Sequence, residues 1–170
     1  KLTVVEMMDQ LLPGIDPDCV KVVARKLKKA KAQIHLKSKA AGAEVGDSGI
    51  EVTIAGPKKE EKIVVDRILV SVGRRPNSED LGLEEAGVER DDRGFIATDS
   101  RMRTSNPAIY AIGDVSGPPL LAHKGSKEGL VAAAVIAGGN DTWDVRAMPA
   151  AVFTDPEIAW AGLMEDQAKR

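Results

Sequence analysis

The stretch from Thr104 to Gly129 constrains this chain more than any other. It reads T-S-N-P-A-I-Y-A-I-G-D-V and then, after Ser116-Gly117, P-P-L-L-A-H-K-G-S-K-E-G. The apolar run Ile109 to Ile112 predicts a short strand that stops at Gly113-Asp114, where a bare backbone and a carboxylate stand side by side. Gly113 has no Cβ to keep a ligand away, and ligands of open α/β sheets bind beyond the carboxyl ends of the strands. Leu130, Val131 and Val135 then recur at helical spacing, so a helix is expected from near Ala122 to Gly138-Gly139. Its first turn offers unpaired backbone N–H groups and the positive end of the helix dipole. Taken alone, Asp114 has a second reading as an ordinary turn cap.

The rest of the composition narrows the classes. At 170 residues the chain can bury the core of an ordinary domain, and a formal net charge of -2 argues against nucleic acid as the main partner. The lysines at 26, 28, 29 and 31 read as the wet face of a helix. No apolar segment is long enough to span a bilayer, and the amino end lacks the layout of a signal peptide. A single cysteine, Cys19, leaves no internal disulfide framework, which fits a reducing compartment; it is read as inert packing. Lys1 runs straight into an apolar strand, and Glu165 to Arg170 read as the opening turn of a helix. The chain is therefore expected to belong to something longer.

Read in order, Leu2 to Val5 predicts a buried parallel strand ending at Glu6. Asp16 and Pro17 announce a helix, one as cap and the other at the first helical position. Val20, Val23, Ala24, Leu27 and Ala30 make its apolar face. A strand through Ile34, Leu36 and Ser38 leads to Ala40-Ala41-Gly42, with His35 expected to face solvent. The turn at 46–49, the alternating strand Ile50 to Ile54 and the charged turn before Ile63-Val64-Val65 give an antiparallel meander. Ile68 to Val72 predicts one more parallel strand, ending at Gly73. Proline and glycine then interrupt the pattern between Gly73 and Pro76, which marks a domain crossing. The loop-rich stretch beyond holds a turn at Asp91 to Gly94 and a short strand at Phe95-Ile96. Met148 to Ala161 predicts a strand pair around Pro156.

Chemically, a strand-end glutamate such as Glu6 can accept hydrogen bonds from both hydroxyls of an adenosine ribose and repel a 2′-phosphate, which selects NAD over NADP. A plain surface carboxylate is its other reading. Gly73 either admits a close backbone approach or simply ends a strand. His123 lies where a general base could be imagined, but at a helix start the backbone is the working part.

Together these residues resemble the dihydrolipoamide dehydrogenase family of flavin-dependent disulfide oxidoreductases. The similarity rests on V-V-E-M at Val4 to Met7, V-G-R-R-P-N at Val72 to Asn77, D-R-G-F-I at Asp92 to Ile96, Y-A-I-G-D at Tyr110 to Asp114, L-L-A-H-K at Leu120 to Lys124 and T-D-P-E at Thr154 to Glu157. Y-A-I-G-D is common to the wider superfamily, whereas A-H-K followed by Glu128-Gly129 is narrower. The resemblance implies an α/β fold: residues 1–73 as the C-terminal part of a Rossmann-like NAD-binding domain, 74–145 as the second, central part of an FAD-binding domain, and 146–170 as the start of an α+β dimerisation interface domain.

It further implies NAD contacts at Glu6, Ala40 and Gly73, although the family more often has valine where Ala40 stands. FAD contacts are implied at Gly113, Asp114, Leu120, Leu121, Ala122 and His123. The implied enzyme is a cytoplasmic homodimer that serves lipoyl domains of 2-oxo acid dehydrogenase complexes. It passes electrons from dihydrolipoamide through a redox-active disulfide and FAD to NAD. The redox cysteines, the glycine fingerprints and the histidine base fall outside this segment, so no residue here is assigned a catalytic role. Another flavin disulfide reductase and a non-catalytic nucleotide-binding fragment are the alternatives.

Overall fold

A computed structural model describes residues 1–170. The chain packs as two units, residues 1–71 with 151–170 around one apolar cluster and residues 72–150 around two.

The first unit begins with a β–α–β turn of chain. Strand β1 (Thr3–Val5) pairs in parallel with β2 (Gln33–His35), with Val4 opposite Ile34, and helix α1 (Pro17–Lys29) makes the crossover. A parallel pair needs such a crossover, because its strands run the same way. Val20 and Val23 of α1 are buried with Leu11, Ile15 and Ile158, and Val4, Leu27 and Ile34 close over them. The lysines keep to the solvent side, as their spacing predicts. Asp16 stands at the cap position of α1 but makes no side-chain bond to the helix. Its carboxylate instead accepts from the Glu165 amide at 3.0 Å, at the start of a short helix, α3 (Glu165–Ala168). The expected helix is present; the expected capping bond is not.

Strands β3 (Lys39–Gly46), β4 (Gly49–Ala55) and β5 (Glu60–Val65) form the antiparallel meander, with a register shift between Ala40 and Gly42. On β4 the alternation is real: Val52 and Ile54 are buried while their neighbours are half-buried. A final two-stranded ladder, β6 (Ala150–Val152) and β7 (Ile158–Trp160), flanks Pro156.

Five expectations are corrected here. Ile68 to Val72 is not a strand: it pairs with nothing, and Leu69 and Val72 are 91% and 92% exposed. Apolar composition makes a strand only where a neighbour supplies the other half of each backbone bond. Cys19, in the first turn of α1, is exposed rather than packed. His35 does not face open solvent; it is half-buried with Nδ1 3.4 Å from the Glu61 carboxylate. Ile109 to Ile112, like Phe95-Ile96, is reduced to a single bridge, Arg103 with Tyr110 in the one case and Arg90 with Ile96 in the other.

The second unit is consequently built from turns laid on one helix. Helix α2 (Ala122–Ile136) buries Val131, Ala132 and Val135 against Met102, with Tyr110 and Trp143 packed around them. A second cluster joins Leu83, Val88, Ile96 and Ala111. Asp91 organises the turn before Phe95 by accepting the amides of Arg93 and Phe95, both at 2.9 Å. Thr104 organises the turn before Ile109 in the opposite sense, its hydroxyl placed to donate to the carbonyls of Asn106 and Ile109, each at 3.0 Å. No helix in the chain is long and apolar enough to cross a membrane.

Candidate functional site

After Ile112 the backbone turns into one 3₁₀ turn, Gly113–Ser116, and α2 begins six residues later. Gly113 has φ +79°, a left-handed conformation that L side chains rarely adopt, and a Cβ built there would meet nothing within 4 Å. Its outer face is therefore bare. At its back lies Gly125, where an added Cβ would come 3.1 Å from the Gly113 Cα. Two glycines thus let the turn and the helix meet at backbone distance.

The contact is fixed by side chains of α2. Glu128 Oε2 accepts the Gly113 amide at 2.7 Å. Lys124 Nζ donates to the Gly113 carbonyl at 2.8 Å and lies 2.9 Å from Glu128 Oε1. Ser116 Oγ is within 2.8 Å of the same carbonyl and 3.1 Å of Lys124 Nζ. Lys124 and Glu128 are only 4% and 5% exposed, and every buried side-chain polar atom has a partner. Charged residues are almost never so deeply buried unless paired.

The outer side is open. Asp114 has a side chain 51% exposed, and Arg74 Nη1 lies 3.5 Å from both its Oδ2 and the Leu120 carbonyl. The carboxylate and the approach to α2 thus share one guanidinium. Leu121, at the cap position, makes no side-chain bond to the helix, so the first-turn amides point outward uncapped. Leu120 and Leu121 are half-buried, and Ala122 and His123 are exposed. The His123 ring is engaged: Nε2 donates to the Pro149 carbonyl at 2.6 Å, which leaves its backbone as the part aimed at the site.

The structure therefore brings together Gly113, Asp114, Leu120, Leu121, Ala122 and His123 within one unit. Glu6 and Ala40 lie in the other. Glu6 follows β1 and is half-buried; one carboxylate oxygen accepts the Met8 amide at 2.8 Å and the other has no protein partner. Ala40 is exposed on β3 at the register shift. Gly73 has φ +123° and open space where a Cβ would stand.

Sequence reasoning gave no role to Lys124, Ser116, Glu128 or Arg74. A signal for the buried pair was present. Positions 124 and 128 continue the stripe of Val131 and Val135 at helical spacing, so two charges lie on the face that must go inside. Arg74 had no such signal, because its contact spans 40 residues. An open groove beside it is lined by Arg75, Pro76, Arg90 and Arg93 among others; Arg90 is paired with Glu84 and Arg93 with Asp91, while Arg75, Glu79, Glu89 and Asp92 of the same lining stand outside any salt bridge. No three His, Cys, Asp or Glu side chains gather as a metal site would need.

Comparison with known proteins adds an independent finding. Residues 1–129 match the family model described as pyridine nucleotide-disulphide oxidoreductase. The chain is 46% identical over 172 residues to a dihydrolipoyl dehydrogenase of Thermus scotoductus, covering all of this chain and 37% of that protein. It is 45% identical to a dihydrolipoyl dehydrogenase of Vibrio cholerae, over 99% of this chain and 36% of that one. Among solved structures it is similar to the HOCl-induced flavoprotein disulfide reductase RclA of Escherichia coli, with a TM-score of 0.89 at 26% identity, over 99% of this chain and 38% of that one. LpdA of Mycobacterium tuberculosis matches with a TM-score of 0.83 at 29% identity, over 92% and 34%. The chain thus spans little more than a third of the proteins it matches.

Proposed function

The chain belongs to the pyridine nucleotide-disulphide oxidoreductase family, and on that premise we propose that it is the central segment of an NAD-dependent dihydrolipoyl dehydrogenase. Its architecture is a partial Rossmann-like α/β arrangement of the flavin disulfide reductases. In this reading residues 1–73 end the NAD-binding domain, 74–145 are the returning part of the FAD-binding domain, and 146–170 open the interface domain through which two copies pair.

The observation that carries the reading is the Gly113–Asp114 turn held against the amino end of α2. This geometry fits FAD. The bare face of Gly113 permits close approach, and the half-exposed Asp114 carboxylate is free to accept hydrogen bonds from ribityl hydroxyls. Leu120 and Leu121 offer an apolar edge, and the amides of Ala122 and His123 are uncapped donors. Such a helix start stabilises negative charge placed against it by about 0.3 to 2 kcal/mol. Glu6, with one carboxylate oxygen free beyond β1, fits the adenosine ribose of NAD; Ala40 takes the adenine side, and Gly73 the path of the nicotinamide nucleotide. When bound, FAD relays two electrons between a dithiol–disulfide couple and NAD. This segment binds and orients; the disulfide and the base belong to other parts of the longer protein. Cytoplasmic residence and docking with lipoyl domains of 2-oxo acid dehydrogenase complexes follow from the same reading.

The test is the full-length protein: a stoichiometric flavin spectrum, and NAD reduction by dihydrolipoamide. A protein that binds flavin but reduces only other disulfides would favour the second reading, a related flavin disulfide reductase, which the likeness to RclA supports. Absence of flavin and nicotinamide binding would sink both.

A further inference from the structure

The buried pair Lys124–Glu128 is a group that the proposed function does not use. It is unusual in what it grips. Both polar atoms of one peptide residue, Gly113, are satisfied by opposite charges on successive turns of α2, Glu128 taking the N–H and Lys124 the C=O. Backbone bonding to a neighbouring strand would satisfy the same atoms without burying charge, and apolar side chains on the helix would avoid the desolvation that a buried ion pair incurs. Neither arrangement would hold one glycine at one height along the helix. A pair of charged groups with short bonds does, because sliding the turn by one residue would leave each charge with its opposite number but without its bond to the backbone, in a site water does not reach.

We propose that Lys124 and Glu128 are positioning residues: they clamp the Gly113 peptide so that the Asp114 carboxylate and the amino end of α2 keep the spacing that one flavin requires. The role rests on the flavin reading above. Neither side chain touches the cofactor; each acts through Gly113.

The experiment uses the full-length protein as wild type, Glu128→Gln, Glu128→Leu and Lys124→Met. Three readouts are taken: FAD affinity on reconstituting the apoprotein, the visible absorption and midpoint potential of the bound flavin, and hydrogen exchange of the Gly113 amide in the apoprotein. Glutamine keeps an acceptor for that amide but removes the counter-charge of Lys124, so Glu128→Gln should lose at least about threefold less FAD affinity than Glu128→Leu and keep Gly113 exchange closer to wild type. Glu128→Leu and Lys124→Met should lose about tenfold or more, the worth of one hydrogen bond to a charged partner, with a shifted flavin spectrum and potential and faster exchange at Gly113. Wild-type affinity, spectrum and exchange in Glu128→Leu would overturn the proposal. So would equal losses in the glutamine and leucine variants, which would assign the effect to charge alone. Should the leucine variant fail to fold, Gly113 exchange in Glu128→Gln and Lys124→Met against wild type decides. If no form binds FAD, the flavin reading fails, while the exchange measurement still tests the clamp.

Discussion

Glu6 has one oxygen committed to the Met8 amide and one free, so its carboxylate is already oriented before any ligand arrives. In the full-length enzyme Glu6→Ala should raise the Kd for NAD by about tenfold to a hundredfold, as expected for losing charge-assisted hydrogen bonds to a ribose. It should also narrow the preference over NADP, because the repulsion of a 2′-phosphate goes with the charge. Isothermal titration with both coenzymes checks it, and unchanged constants would remove the role. Asp114 and Glu6 were legible in the sequence because each is a carboxylate just past an apolar run. The run after which Asp114 stands is not a strand here, yet the residue is still where it was expected, since Gly113 stops the chain in either case. Lys124 and Glu128 were harder to see, because burial is a property of the partner they grip and the partner lies 11 and 15 residues away.

At the scale of elements, α2 and the turn it meets depend on two glycines in different ways. Gly125 sits inside a helix, where replacement by alanine ordinarily gains about 1 kcal/mol. Here the new Cβ would come 3.1 Å from the Gly113 Cα, and Gly113 is tied at both polar atoms and cannot easily give way. Gly125→Ala should therefore forfeit that gain and show net destabilisation on urea unfolding; an increase in stability would mean the turn moves freely. The Asp91 turn carries a pH dependence. The Phe95 amide, followed by the Arg93 amide and guanidinium, holds its carboxyl below the ordinary 3.8. A lowered folded value means the turn is stabilised above about pH 3.8 and loses that contribution as pH falls through the lower value. NMR titration of Asp91 should give a midpoint below 3.8, matched by loss of amide protection at Phe95; a midpoint at or above 3.8 contradicts the bonding described.

Element identity was legible where local pattern decides it. The helices were found because periodicity and proline act within a few residues, and α2 starts at the expected Ala122. The meander was found because turns and alternation set it. What failed was Ile109 to Ile112 and Ile68 to Val72, where a strand exists only by virtue of a neighbour, and Asp16, whose carboxylate had a partner 149 residues away. Local chemistry is written locally; pairing is not.

For the whole molecule, the proposed flavin site has only one wall in this chain, and the glycine fingerprints implied by the resemblance lie elsewhere. Purified by itself, the chain should be colourless, with no stoichiometric flavin absorbance in the visible; a yellow preparation would overturn that. A second consequence comes from residues 68–72. Ile, Leu, Val, Ser and Val, exposed to water and with no ladder partner, form an apolar ribbon whose backbone groups no strand pairs. Such a ribbon recruits whatever β-structure it meets, and in a solution of this chain the commonest candidate is another copy. Sedimentation should thus show concentration-dependent self-association that a Val70→Lys substitution suppresses, while a strictly monomeric chain at high concentration would mean the ribbon is sheltered.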